Sequence, residues 1–285
     1  MLSNSIMFRG RHITIATKHG KEKALAPLVS TLLQAIPKTF DQLDTDQFGT
    51  FSGETERTGS PIEVLRAKTR LAQELCGDRR FIVSEGSFGP HPASPFITAN
   101  EEWLLYTDFD LNHEVLVRSL SVETNYKQHA VKSIQELEQV IQSTDFPNNG
   151  LILIAKEQGE IREVIKDLVD TEALIASYAA FNNRYNDIIV QTDMRAHKNT
   201  LRMKHIELTA IKLINRMLST CPACHFPGFG AVSADKGLPC KYCQAPTNAI
   251  LAENWSCSNC QYTTKKFFPD GLKYADPGIC SFCNP

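Results

Sequence analysis

Cys221-Pro222-Ala223-Cys224, Cys240-Lys241-Tyr242-Cys243, Cys257-Ser258-Asn259-Cys260 and Cys280-Ser281-Phe282-Cys283 place eight cysteines in four pairs of identical internal spacing. Two thiolates two residues apart can occupy one edge of a metal tetrahedron, and a second pair completes it. The eight side chains therefore predict two structural zinc ions with closed coordination shells. The intervals between pairs are fifteen, thirteen and nineteen residues. Pairing neighbours in order falls within the spacing of zinc ribbons, so Cys221/Cys224 is expected to join Cys240/Cys243, and Cys257/Cys260 to join Cys280/Cys283. The cross-braced alternative joins first with third and second with fourth. A redox dithiol and an iron–sulfur cluster are further readings of the same thiols. Pro222, Pro227, Gly228, Gly230, Gly237, Pro239, Pro277 and Gly278 crowd the knuckles and few large apolar residues remain, so coordination must supply the stability of this segment. Cys76, the ninth cysteine, reads as a buried thiol at a helix end.

Immediately before the cysteines, residues 197–218 read as one long helix. Met203, Ile206, Ala210, Leu213, Ile214, Met217 and Leu218 fall on one face at helical spacing. Net charge over the 285 residues is −2, unevenly spread. Residues 1–192 carry 19 basic against 26 acidic side chains, 193–218 six against two, and 219–285 five against four. A general nucleic-acid binder would show a larger basic excess, so only 193–218 suits phosphate contacts. No aliphatic run approaches a membrane span and the first residues lack a signal-peptide pattern, which together with the metal-ligand cysteines predicts a cytoplasmic protein.

Further back, strands alternate with helices. His12 to Ala16 reads as a strand, Glu22 to Ala35 as a helix, and Ser60-Pro61 as the capped start of a helix that Gly77 ends. Phe81 to Ser84 reads as a short buried strand followed by a Gly/Pro loop from Gly86 to Pro95. Trp103 to Thr107 and Val115 to Val122 read as strands joined by a turn, and Ser133 to Gln142 as a helix. Leu151 to Ala155, the helix around Thr171 to Phe181, and Ile188 to Gln191 form another strand–helix–strand pattern. The expected architecture is α/β: a mixed, partly parallel sheet with flanking helices (1–192), a basic amphipathic helix (193–218) and a small double zinc-ribbon segment (219–285).

Three polar clusters are candidate sites. Thr17-Lys18-His19-Gly20-Lys21 turns from a strand into a helix, where backbone N–H groups and lysines suit a phosphate; a solvated helix start is the alternative. Glu54 and Glu56, two residues apart on an extended segment, would face one side and could hold magnesium, with Arg66, Lys68 and Arg70 following; a solvated loop is the alternative. Ser84-Glu85-Gly86-Ser87-Phe88-Gly89-Pro90-His91-Pro92 places a carboxylate at the carboxyl end of a buried strand, where α/β folds bind ligands. Glu85, Glu54, Glu56 and His91 are the candidate catalytic residues. Thr17, Lys18, Lys21, Arg66, Lys68 and Arg195 are the candidate phosphate ligands. Arg195 belongs to Thr192-Asp193-Met194-Arg195-Ala196-His197-Lys198-Asn199, which opens the long helix and could reach over a ligand; a helix cap by Asp193 is the alternative.

The order of these pieces over residues 12–122 resembles the inosine/xanthosine triphosphate pyrophosphatases. The pieces are Ala16-Thr17-Lys18-His19-Gly20-Lys21, Glu54/Glu56, Arg66-Ala67-Lys68, Ser84-Glu85-Gly86, and the strands from Trp103 and Val115. By that resemblance Lys21 binds the triphosphate and Glu85 holds magnesium or activates water. His19 stands where that family has Asn, and Lys21 comes one residue early. The whole chain also resembles a bacterial family, a domain without assigned activity, through Ala16 to Glu22, Ser84 to Pro92, Thr192 to His197 and the cysteine segment.

The expected function is metal-dependent hydrolysis of a phosphorylated, nucleotide-like substrate. The alternative is a non-enzymatic adaptor that binds RNA or a protein through its zinc ribbons and the 193–218 helix.

Overall fold

The computed structural model describes residues 4–43, 59–92, 94–168 and 170–285. Glu54 and Glu56 lie outside the described residues. The described chain divides into two units, Phe8–Leu213 and Ile214–Pro285 together with residues 4–7.

In the larger unit, β1 (His12–Ala16) lies between β2 (Ile36–Phe40) and β3 (Arg80–His91), parallel to both. β3, β4 (Ser94–Asp108) and β5 (His113–Ser121) continue the sheet as an antiparallel meander, giving the order β2-β1-β3-β4-β5. Helix α1 (Glu22–Leu32) connects β1 to β2, and α2 (Pro61–Cys76) precedes β3. Ser60 begins α2 with a full capping box, and Gly77 ends it in the left-handed conformation at φ 71°. Leu65 and Ala72 of α2 pack on Ala16, Phe81, Val83 and Leu105. Ile13, Ile15, Ile82 and Leu104 alternate with those residues and are buried on the other face.

A second sheet of order β6-β9-β7-β8 is wholly antiparallel: β6 (Gln128–Ala130), β7 (Leu151–Glu157), β8 (Glu160–Ile165) and β9 (Asp187–Thr192). Helices α3 (Ile134–Ser143) and α4 (Thr171–Asn182) cover it through Leu137, Val140, Leu174, Tyr178 and Phe181.

Three readings of the sequence change. The Gly86–Pro95 segment is not a loop: β3 runs on to His91 and turns directly into β4. β1 pairs with β3 only as far as Val83, and β5 pairs with β4 only from Asn100 onward, so this hairpin extends past its neighbours. Pro90 and Pro95 therefore interrupt no further ladder. The strand–helix–strand pattern around α4 is not a parallel unit either, because β8 reverses the chain before the helix. Lastly, the long helix α5 runs from Thr200 to Leu218, after a 3-10 turn at Ala196–Lys198. Its cap is Asn199, whose Oδ1 accepts the Arg202 N–H at 2.9 Å. Asp193 instead accepts from the Arg195 backbone N–H at 2.9 Å.

The smaller unit is a three-stranded antiparallel sheet, β10 (Gly230–Lys236), β11 (Ile250–Ser256) and β12 (Thr263–Phe267), with the cysteine knuckles at its strand ends. Phe226, Phe229 and Trp255 gather beside Cys221 and Cys257 as its small apolar cluster.

Candidate functional site

The eight thiols form two four-cysteine clusters, Cys221/Cys224/Cys257/Cys260 and Cys240/Cys243/Cys280/Cys283. The partition is cross-braced, not sequential. Gly230 at the start of β10 pairs with Ser256 at the end of β11, so the first and third knuckles share one end of the sheet. The second and fourth lie at the other end. A seven-residue strand separates those ends by ~20 Å, too far for one ion to join neighbouring knuckles. The fifteen-residue interval that reads as a ribbon loop holds this strand.

Each knuckle is built the same way. His225, Gln244, Gln261 and Asn284 donate their backbone N–H to the carbonyl of the first cysteine at 2.8–3.2 Å. Ala223 and Tyr242 direct a backbone N–H at Sγ of Cys221 and Cys240, each at 3.4 Å. Such bonds favour thiolates. Across each cluster Sγ···Sγ separations are 3.6–3.8 Å, far from a disulfide bond. A tetrahedral ion with metal–sulfur bonds of ~2.3 Å has edges of ~3.8 Å, so the residues fit one metal ion per cluster.

The second site is a group of buried charges in the larger unit. β1 delivers its chain to α1 on one side and β3 turns to β4 on the other. The carboxyl end of β1, beside the middle of β3, is thus a topological switch point, where open α/β sheets bind ligands. Lys21 and Ser84 meet there, with Lys21 Nζ donating to Ser84 Oγ at 2.8 Å. One residue on, Glu85 faces α2 and is ion-paired with Lys68. Glu85 does not end a strand as the sequence suggests: β3 continues past it to His91, paired with β4. Gly86 and Glu102 are cross-strand partners on the opposite face. Glu102 Oε1 accepts from Arg202 Nε at 2.8 Å, and Arg202 also donates to the Met194 carbonyl.

Lys21, Lys68, Glu85, Glu102 and Arg202 are all buried. Burial above all, and then Arg202, pull the Lys21 pKa down to about 7; Lys68 lowers it further, while Glu102 and Glu85 oppose. A Cβ on Gly86 would lie 2.5 Å from Arg202 Nη2 and 2.7 Å from Glu102 Oε1, so any larger residue there would force this buried ion pair to shift. Cross-strand from Glu102, Ser119 Oγ receives Lys212 Nζ at 2.9 Å and stands 3.1 Å from His205 Nε2. Glu102 Oε2, Asn100 Oδ1 and His205 Nδ1 are buried and lack hydrogen-bond partners among the described residues.

Of the sequence-selected residues, Lys21, Lys68 and Glu85 converge. Thr17 is buried beside them in sequence and donates to the Lys18 carbonyl at 3.0 Å, while Lys18 is half-buried. His91 lies at the far tip of β3, ~20 Å along the strand from Glu85. Arg66 points elsewhere, to Glu114 at 2.7 Å, beside a small pocket lined by Arg70, Thr107 and Asp108. Arg195 is held by Asp193 at 2.6 Å and Asp167 at 2.9 Å. Glu102 and Arg202 escape a reading that seeks loops. Their signals were periodic: Glu102 alternates with buried Leu104 and Tyr106, and Arg202 stands four residues before Ile206 on the apolar face of α5.

The geometry defines an α/β unit with a charged switch point, followed by a four-knuckle, two-site cysteine unit. Over residues 68–285 the chain matches the family described as Domain of unknown function (DUF6671), and it belongs to that family. No curated protein and no solved structure matches the chain. Among the described residues, no helix is long and apolar enough to cross a membrane.

Proposed function

We propose that the protein is a metal-dependent hydrolase of a phosphorylated, nucleotide-like substrate, bound at the carboxyl end of β1 beside the middle of β3. The observation that carries this reading is the composition of the buried cluster. Three cationic side chains, Lys21, Lys68 and Arg202, are set against two carboxylates, Glu85 and Glu102. An arriving phosphate adds negative charge and raises the Lys21 pKa, so binding energy is concentrated on an anion. Glu85 is the carboxylate placed to hold magnesium brought with the phosphates, or to orient water, once Lys68 turns to the phosphate.

Both cysteine clusters are read as structural zinc sites: four thiolates at tetrahedral spacing suit zinc, and neither leaves an open position. The α5 segment is less suited to nucleic acid than its charge suggests. Arg195, Lys198, Arg202, Lys212 and Arg216 all have partners within the protein.

The test is a screen of nucleoside triphosphates with magnesium, read by phosphate and pyrophosphate release. Glu85→Gln is expected to lower any activity at least ~100-fold. Because Glu85 is buried against Lys68, that variant also loses on the order of 3 kcal/mol of stability, so activity is read well below its melting temperature. No hydrolysis by the wild type, or full activity in Glu85→Gln, rejects the reading.

A further inference from the structure

The two cysteine clusters are built alike, and that likeness makes one into a control for the other. The residue before the second cysteine of each knuckle is Ala223 and Asn259 at the first cluster, Tyr242 and Phe282 at the second. Coordination therefore demands nothing large or aromatic at this position. Yet Tyr242 is 83% exposed and Phe282 74% exposed. A third ring lies alongside: the Lys241 N–H donates to the Ala275 carbonyl at 3.0 Å, which brings Tyr274, 49% exposed, against the second knuckle. Exposed Lys241 and Lys273 directly precede Tyr242 and Tyr274 in the chain. The corresponding knuckle positions at the first cluster, Pro222 and Ser258, are uncharged.

We propose that the face of the Cys240/Cys243/Cys280/Cys283 cluster binds single-stranded nucleic acid. Tyr242, Phe282 and Tyr274 serve as stacking surfaces for bases, and Lys241 and Lys273 contact the phosphates. Every base has a stackable face, so exposed rings bind single strands with little sequence preference. The unit as a whole is near neutral, so stacking supplies most of the affinity, and Lys241 and Lys273 supply the local positive charge that a phosphate backbone requires. Leu272 and Ile279 are also exposed nearby. The centre of a protein–protein interface is, however, depleted of lysine, whereas here two of the three rings have an exposed lysine as their neighbour in the chain. This inference is independent of the hydrolase reading: it concerns the other unit and other residues.

The experiment uses the full chain loaded with zinc and fluorescein-labelled oligonucleotides, single-stranded RNA, single-stranded DNA and duplex, followed by anisotropy at several salt concentrations. Single strands are expected to bind in preference to duplex. The variant Tyr242→Ala/Phe282→Asn transplants the residues of the first cluster, which this knuckle geometry already accommodates. It should keep the wild-type metal content and weaken binding at least ~10-fold. Lys241→Ala/Lys273→Ala should flatten the salt dependence by ~1.4 in log–log slope, ~0.7 for each phosphate that is no longer neutralised. Ala223→Ser should change nothing. Absence of single-strand binding, duplex preference, or unchanged affinity in the aromatic variant with metal intact overturns the proposal; the first of these would leave a protein as the partner of this surface.

Discussion

Lys21 shows how one side chain can carry the electrostatic character of a site. Its ammonium is buried, donates to Ser84, and faces Arg202 and Lys68 as well as two carboxylates. Its pKa falls to about 7 in the folded chain. An unfolded lysine titrates near ~10.4. Between these values the unfolded state binds more protons, so stability rises with pH across that window and is lost as pH falls toward 7. Going from about pH 7.5 to about pH 9.5, the wild type should gain on the order of 2 kcal/mol relative to Lys21→Met, measured by urea unfolding at each pH. A parallel pH response in the two proteins would show that Lys21 is protonated throughout. Gly86 belongs to the same scale. Its missing Cβ is the space through which Arg202 and Glu102 meet.

At the level of elements, the hairpin of β10 and β11 decides the metal partition. The strands are long enough to separate neighbouring knuckles and antiparallel, so alternate knuckles coincide. Double variants distinguish the two pairings. Cys221→Ala/Cys257→Ala removes ligands from one cluster and should retain about one zinc per chain. Cys221→Ala/Cys240→Ala breaks both and should retain none, by metal analysis of purified protein. One zinc retained in the second variant would restore sequential pairing. Helix α5 is likewise defined by its ends. Asn199 starts it, and near its other end Arg216 donates to the carbonyls of Gly228 at 2.9 Å and Ala231 at 2.6 Å.

For the whole molecule, the two units rest on different forces. The larger one buries extended apolar clusters against two sheets. Among the described residues, the smaller one gathers Phe226, Phe229 and Trp255 beside its first cysteine cluster and buries a few scattered apolar side chains such as Met217 and Leu238, a core small enough that metal coordination is expected to supply much of its stability. Stripping the metal with a strong chelator should abolish the ordered signals of residues 221–283 in hydrogen exchange, while amides of β1, β3, β7 and β9 keep their protection. Loss of protection in both sets together would mean that the chain unfolds as one cooperative body, and that the sheets need the metal too.

The local patterns of the sequence determined what depends on a few neighbouring residues. The Ser60 cap and Gly77 stop of α2 act through adjacent backbone groups. The strand at His12–Ala16 and the apolar face of α5 follow from periodicity, and the thiol pairs from spacing. Lys21 was recognisable at a helix start, Lys68 as one of the basic residues of α2, and Glu85 as a carboxylate following an apolar run, each one by one. Which of them meet was decided by tertiary structure: β3 lies beside β1, α2 covers one face of the sheet, and Gly86 leaves room for Arg202 on the other. The cross-braced clusters were decided in the same way. Cysteine spacing counts residues along the chain, whereas a metal ion measures distance through space, and a full strand folded between two knuckles makes those quantities differ.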